Sequence, residues 1–133
     1  MIKTFSASLD KLYEMLQFVR EQANAARFDG SVSSKIELAV EEALVNIISY
    51  GYPNTTGTIE IQCTISNFSG IKITIRDKGI PYNPLTSSKI FTPPLEGRSV
   101  GGYGIYFILK IMDEVDYKRE NNYNVLTLVK FRD

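Results

Sequence analysis

One stretch of the sequence, from Ser34 to Tyr52, limits the folds that this chain can adopt. Its apolar residues recur at intervals of three and four, which predicts a helix with one broad apolar face formed by Ile36, Ala39, Val40, Ala43, Leu44, Ile47 and Ile48. Ser34 and Glu37 have the spacing of a capping box at its start, and Gly51 is placed for a left-handed C-cap. We therefore expect the rest of the chain to be organised around this helix.

Two polar residues stand at the edge of its apolar face. Glu42 and Asn46 are four residues apart, so their side chains project from neighbouring points on the helix surface. At about 100° per residue they fall at the rim of the buried stripe, where a carboxylate and a carboxamide would line a cleft. The pair alone does not define a site, because polar pairs of this spacing are also common on solvated helix edges.

Composition excludes several kinds of site. The 133 residues are most simply one domain, 1–133, and they contain no histidine and one cysteine, Cys63. Histidine bases, histidine ligands, phosphohistidine chemistry and an intrachain disulfide are therefore excluded, and no structural zinc site is expected.

Charge and cysteine usage also bear on partners and location. Fifteen basic and fifteen acidic residues cancel, so we expect neither direct nucleic-acid binding nor attraction to a membrane surface. The single cysteine fits a reducing compartment, and no apolar run resembles a signal peptide or a membrane span. The sequence therefore predicts a cytoplasmic protein.

The remaining pattern predicts an α+β fold. Alternating residues predict an edge strand at 2–6 and two hairpins, at 58–77 and 115–131, whereas helical period predicts helices at 8–27, 34–52 and from about 104. The order β-α-α-β-β-loop-α-β-β indicates a two-layer sandwich. We expect a mixed, mostly antiparallel sheet that is covered on one face by about three helices.

Two features between the hairpins are candidates for chemistry. Asp77 keeps the phase of Ile71, Ile73 and Ile75, so its carboxylate is predicted to point into the core, where it needs a partner. Further on, the glycines of GGYG at 101–104 open a helix and could cradle a phosphate, although their spacing is neither the Rossmann nor the P-loop pattern. Each feature alone also fits ordinary turn chemistry.

In this order, EALVN at 42–46, DKGIPY at 77–82 and GGYGI at 101–105 resemble the three boxes of the GHKL (Bergerat-fold) ATPase superfamily. Within that superfamily the chain looks most similar to the small bacterial anti-sigma-factor serine/threonine-protein kinases. Two longer stretches also resemble the motifs of these kinases: NIISYGY at 46–52 and GGYGIYFILKIMDEVDY at 101–117. The resemblance extends from about residue 36 to the C-terminus and implies a Bergerat-type ATP-binding fold.

The resemblance implies a role for each matching residue near the nucleotide. Asn46 would bind Mg²⁺ through its side-chain oxygen. Glu42 would be the general base that takes a proton from the attacking hydroxyl. Asp77 would accept a hydrogen bond from the adenine amino group, and Gly79 would let the backbone approach the base closely.

The resemblance also implies an ATP lid at about 82–101. Gly102 and Gly104 would close this lid over the phosphates at the start of the following helix. The glycine-flanking segment lacks the lysine that would contact the phosphates, so Arg98 is the nearest cation. Tyr50 stands where family members often have histidine, and no role is assigned to it.

The leading functional hypothesis is an ATP-binding protein serine kinase of the anti-sigma-factor type. It would transfer the ATP γ-phosphate to a serine of a small antagonist (anti-anti-sigma) protein and would sequester a sigma factor, and the resemblance implies a homodimer. The alternative is a nucleotide-dependent protein-binding module without phosphotransfer. The catalytic part of a histidine kinase is a weaker third interpretation, because the chain has no phosphoacceptor histidine.

Overall fold

The computed structural model describes residues 1–52, 56–66, 70–83 and 104–132. In this part of the chain there are five strands and three α-helices, in the order β1 (Ile2–Ser6), α1 (Leu12–Ala25), α2 (Gly30–Asn46), β2 (Thr58–Ser66), β3 (Gly70–Asp77), α3 (Gly104–Ile111), β4 (Glu114–Glu120) and β5 (Tyr123–Phe131). A 3₁₀ turn, Leu9–Lys11, precedes α1, and a π-helical turn, Ile47–Gly51, continues α2. This is the predicted α+β architecture. None of the described helices is long and apolar enough to cross a membrane.

The strands form one sheet in the order β1-β2-β3-β5-β4. Every pairing between described strands is antiparallel, whereas the sequence predicted a mixed sheet. The two hairpins make their own pairs antiparallel, and the pair of helices between β1 and β2 returns the chain so that these strands also run in opposite directions. Helix α3 connects β3 to β4, and β5 then pairs with β3. The two hairpins are therefore neighbours in the sheet.

The core lies between the sheet and the helices. Alternate residues of the central strands are buried on one face of the sheet, namely Ile59, Ile61, Cys63, Ile71, Ile73, Ile75, Leu126 and Leu128. Helix α2 contacts both α1 and α3, so it is the middle helix of its layer. Its predicted apolar face is buried, apart from the partly buried Ile48. The expectation that the chain is organised around this helix is confirmed.

The predicted ends of this helix are wrong. Helix α2 begins one turn before Ser34, because the Asp29 side chain caps it by accepting a hydrogen bond of 2.9 Å from the Val32 N–H. Glu37, the other member of the predicted capping box, instead accepts two hydrogen bonds from Arg20, at 2.8 and 2.7 Å. Gly51 ends a π-helical turn. It is not a left-handed cap, because its φ is not positive; among the described glycines, Gly70 is the one with a positive φ.

Candidate functional site

Asp77 is the last residue of β3 and is only 2% exposed. Its side chain points into the buried layer, as its phase predicted. The Oδ1 atom accepts hydrogen bonds from the Gly79 N–H, at 2.8 Å, and from Asn124 Nδ2, at 3.0 Å. Among the described residues no donor contacts Oδ2. Within the described residues, the fold therefore engages one oxygen of the carboxylate, Oδ1.

Burial raises the pKa of Asp77 above its ordinary value. The hydrogen bonds from Asn124 and Gly79 and the positive charge of Arg119 act in the opposite direction. These groups therefore favour the charged form that desolvation disfavours. A buried carboxylate held in this way is a recurrent feature of functional sites.

The turn after Asp77 packs directly against the end of α2. The Ile80 N–H donates to the Gly51 carbonyl at 3.1 Å. A Cβ atom on Gly79 would lie 2.5 Å from the Gly51 oxygen and 2.9 Å from Asp77 Oδ1, which is closer than real Cβ contacts. Position 79 therefore requires glycine for this packing alone, whether or not a base approaches it.

Glu42 and Asn46 lie further back along the same helix, and both are partly exposed. Asn46 lies five residues and Glu42 nine residues before Gly51 in the sequence, and Gly51 contacts the turn after Asp77.

Glu42 and Asn46 are the residues predicted as the general base and the Mg²⁺ ligand. Burial raises the pKa of Glu42, and the neighbouring Glu41 raises it further, which suits a group that must accept a proton near neutral pH. Among the described residues, the Asn46 side chain makes no capping hydrogen bond. The described residues contain no cluster of three or more acidic, cysteine or histidine residues that could hold a metal ion.

The predicted lid lies largely outside the described residues. Arg98 and Gly102 belong to that part of the chain, whereas Gly104 is the first residue of α3, which packs against α2. At the other end of the lid, the ring of Tyr82 lies 5.2 Å from the ring of Tyr50. The aromatic pair joins the end of α2 to the entrance of the lid.

Sequence reasoning missed Asn124, Tyr117 and Arg119. Asn124 lies opposite Asp77 in the β3–β5 register and binds it, Tyr117 donates to Asn124, and Arg119 Nη1 donates to the Gly79 carbonyl at 2.8 Å. The argument that identified Asp77 would also have identified Asn124, because it keeps the phase of the buried Leu126 and Leu128. The strand register needed to join the two was not available from one sequence.

An open cleft of about 370 Å³ borders the contact between Gly51 and Gly79. Its walls come from the end of α2, the start of β2 and the turn after β3, and they include Tyr52 and Lys78. The Tyr52 hydroxyl joins these walls, since it accepts from the Lys78 N–H at 2.9 Å and donates to the Thr58 carbonyl at 3.0 Å. Glu42 and Asn46 are not part of this cleft's lining within the described chain.

Comparison with known proteins gives a consistent set of relatives. A model of the histidine kinase-like ATPase domain matches residues 5–130. An anti-sigma F factor of Thermoanaerobacter sp. (strain X514) is 36% identical over 100 residues, which cover 71% of this chain and 67% of that protein. The serine/threonine-protein kinase BtrW of Bordetella bronchiseptica is 25% identical over 130 residues, 94% of this chain and 86% of the relative. The serine-protein kinase RsbW of Bacillus mycoides is 27% identical over 109 residues, 78% and 68% of the two chains.

Proposed function

Because the chain belongs to the histidine kinase-like ATPase domain family, we propose that it binds Mg·ATP and transfers the γ-phosphate to a serine of a small antagonist protein. The observation that supports the nucleotide site is Asp77, a carboxylate that is 2% exposed and whose two hydrogen bonds from described residues both reach Oδ1. Relatives named as serine kinases and as an anti-sigma factor support the kinase class. By the same analogy, the regulatory partner that the protein sequesters would be a sigma factor.

In the proposed complex the purine contacts Asp77 and the phosphates extend along α2. Asp77 Oδ2 accepts from the adenine amino group, and the Asn46 side-chain oxygen holds Mg²⁺, whose charge would offset that of the phosphates when it is bound. The partner's serine oxygen attacks the γ-phosphorus while Glu42 takes the hydroxyl proton. The bond from the γ-phosphorus to the bridging oxygen breaks, and ADP leaves.

The phosphate end of the site would be completed by the lid residues. Gly104 begins the helix that packs on α2, so Gly102 and Gly104 are proposed to present backbone N–H groups to the phosphates. Arg98 is the proposed cation of this region.

Calorimetric titration with Mg·ATP tests the nucleotide site. Asp77→Asn keeps an oxygen for Gly79 and Asn124 but removes the carboxylate, so we expect its ATP affinity to fall by about 1.5–3 kcal/mol, the value of a hydrogen bond to a charged group. Asp116→Asn removes an exposed carboxylate from β4 and is expected to bind like the wild type. A wild-type protein that binds no Mg·ATP would contradict the proposal.

Phosphotransfer separates the kinase from the alternative, a nucleotide-dependent binding module. The assay follows the γ-phosphate of radiolabelled ATP into small antagonist proteins encoded in the same genome. We expect Glu42→Gln to abolish transfer while Mg·ATP binding persists, and Glu21→Gln, which removes an exposed carboxylate from α1, to retain transfer. Nucleotide binding without transfer to any of these proteins would support the binding module, and transfer unchanged in Glu42→Gln would remove Glu42 from the base role.

A further inference from the structure

We propose that Asn124 is a specificity-determining positioning residue, which fixes Asp77 so that the site selects 6-aminopurine nucleotides over 6-oxopurine nucleotides. The inference rests on the proposed nucleotide site and deepens it. It assigns the choice of base to a residue that acts through Asp77.

Asn124 lies at the centre of a buried hydrogen-bond network and is 5% exposed. Its Nδ2 atom donates to Asp77 Oδ1 at 3.0 Å and to the Ile80 carbonyl at 2.9 Å. Its Oδ1 atom accepts from the Tyr117 hydroxyl at 2.5 Å and from the Tyr82 N–H at 3.3 Å. One amide therefore connects β3, the turn that follows it, the entrance of the lid and β4.

These partners determine which way the amide points. The Tyr82 N–H can only donate and the Ile80 carbonyl can only accept, so a flipped amide would place oxygen against oxygen and N–H against N–H. The assignment of the Asn124 amide nitrogen and oxygen therefore follows from fixed backbone groups. Its nitrogen must face Asp77.

The orientation of Asn124 in turn determines what Asp77 offers to a base. Both hydrogen bonds to its carboxylate arrive on Oδ1, one from Asn124 and one from the Gly79 N–H, so a proton on that atom would conflict with two donors. Oδ1 therefore stays an acceptor, and because both donors favour the charged carboxylate, we infer that Oδ2 is also an acceptor and that it meets the base. The amino group of a 6-aminopurine can donate to this oxygen, whereas the carbonyl of a 6-oxopurine would face it oxygen to oxygen.

A purely structural role for Asn124 predicts something different. If the amide only holds the turn after β3, its loss would weaken the binding of all nucleotides by the same factor. If it positions Asp77, its loss would change the ratio of affinities for two nucleotides that share ribose and phosphates. The ratio for Mg·ATP and Mg·ITP, which differ at the 6-position of the purine, therefore distinguishes the two roles.

The experiment measures both dissociation constants by calorimetry for the wild type and three variants. Asn124→Asp keeps an acceptor for Tyr117 but directs a second carboxylate at Asp77. Asn124→Leu replaces the amide with an apolar side chain of the same number of heavy atoms. Tyr117→Phe removes one of the donors that orient the amide. Asn122→Asp, at the exposed turn of the same hairpin, is the matched control, because it adds the same charge where Asp is tolerated at its φ of 70°.

We expect the wild type and the control to prefer Mg·ATP by at least about tenfold, the equivalent of one hydrogen bond to a charged group. Both Asn124 variants should lose most of that preference, and Tyr117→Phe should lose part of it. An unchanged ratio in Asn124 variants that still bind nucleotide would overturn the inference and leave the proposed function intact. If those variants do not fold, an unchanged ratio in Tyr117→Phe would overturn it. A wild type that binds neither nucleotide would overturn the proposed function and the inference together.

Discussion

Two carboxylates of the candidate site lie in surroundings that disfavour their charge. Burial raises the pKa of both Glu42 and Asp77. Hydrogen bonds from Asn124 and Gly79 partly offset the effect at Asp77, whereas the neighbouring Glu41 adds to it at Glu42. The two groups therefore differ: hydrogen bonds favour the charged form of Asp77 against the effect of burial, whereas both influences at Glu42 favour its protonated form.

The raised pKa of Glu42 predicts a pH-dependent effect on stability. In the folded state Glu42 binds its proton more tightly than in the unfolded chain, so its contribution to stability is present at low pH and is lost as pH rises from its ordinary pKa through its folded pKa. A glutamine at position 42 does not titrate, so the Glu42→Gln variant does not lose this stability as pH rises. We expect the variant to gain stability relative to the wild type as pH rises above about 4.3, the ordinary pKa of glutamate, as measured by urea denaturation.

The control for this measurement is Glu21→Gln, which removes an exposed carboxylate from α1. Its stability relative to the wild type should not follow the same trend. A constant difference between Glu42→Gln and the wild type over this pH range would show that Glu42 is solvated as freely in the fold as in the unfolded chain.

Gly79 gives a second prediction at the residue scale. An added Cβ would lie 2.5 Å from the backbone oxygen of Gly51, and neither backbone can give way without moving the Asp77 turn. Gly79→Ala is therefore expected to cost about 1–3 kcal/mol of unfolding free energy, as overpacking does, and to weaken Mg·ATP binding.

Gly30→Ala is the matched control, because a Cβ at Gly30 meets no atom within 4 Å in the described structure. It lies in the first turn of α2 and is expected to be neutral or slightly stabilising. Equal effects of the two substitutions would contradict the close packing of Gly79 on Gly51.

At the scale of elements, the chain's short-range signals predicted the hairpins better than the helix ends. Asn121 and Asn122 have positive φ angles of 53° and 70°, as a two-residue turn between twisted strands requires, and asparagine tolerates that conformation. The helix start depends on which of several polar residues caps it. Ser34 has the stronger local pattern, but Asp29 is the cap, and the intervening residues simply continue the helix.

The start of α2 is therefore testable by a pair of substitutions. Asp29→Ala removes the acceptor for the Val32 N–H and is expected to lower the unfolding free energy by about 1 kcal/mol. Ser34→Ala changes an exposed residue inside the helix, where alanine is at least as favourable as serine, so it should be neutral or slightly stabilising. Urea denaturation measures which of the two variants loses more unfolding free energy. A larger loss for Ser34→Ala would support the capping box predicted from the sequence.

At the scale of the whole molecule, sequence periodicity predicted the layer of helices, the sheet and one of the two buried polar residues that bind each other. Asp77 could be recognised because a carboxylate in phase with three isoleucines is unusual, and the same pattern marks Asn124 in β5. Their contact depends on the antiparallel register of β3 and β5, and β5 reaches β3 only through the α3 crossover. Sequence periodicity gives the face of each strand, but the pairing of non-consecutive strands arises from the packing of the whole chain.

Strand β1 forms one outer edge of the sheet. Within the described sheet β1 pairs with β2 alone, so one of its edges is open to a further strand or chain. Large apolar side chains lie exposed on β1, in the 3₁₀ turn and at the start of α1: Ile2 is 56%, Leu9 59% and Tyr13 68% exposed. An open strand edge beside exposed apolar groups is a feature of protein interfaces.

We therefore expect the protein to form a homodimer through its N-terminal strand and the start of α1. Light scattering coupled to gel filtration should give a dimer mass for the wild type and a monomer mass for Tyr13→Glu, because a charge at the centre of such an interface would be buried without a partner. Leu109→Glu is the matched control: Leu109 is 45% exposed on α3, across α2 from α1, and its substitution should leave the dimer intact. A monomeric wild type at high concentration would contradict this interface, and a dimer that survives Tyr13→Glu would place the contact elsewhere on the surface.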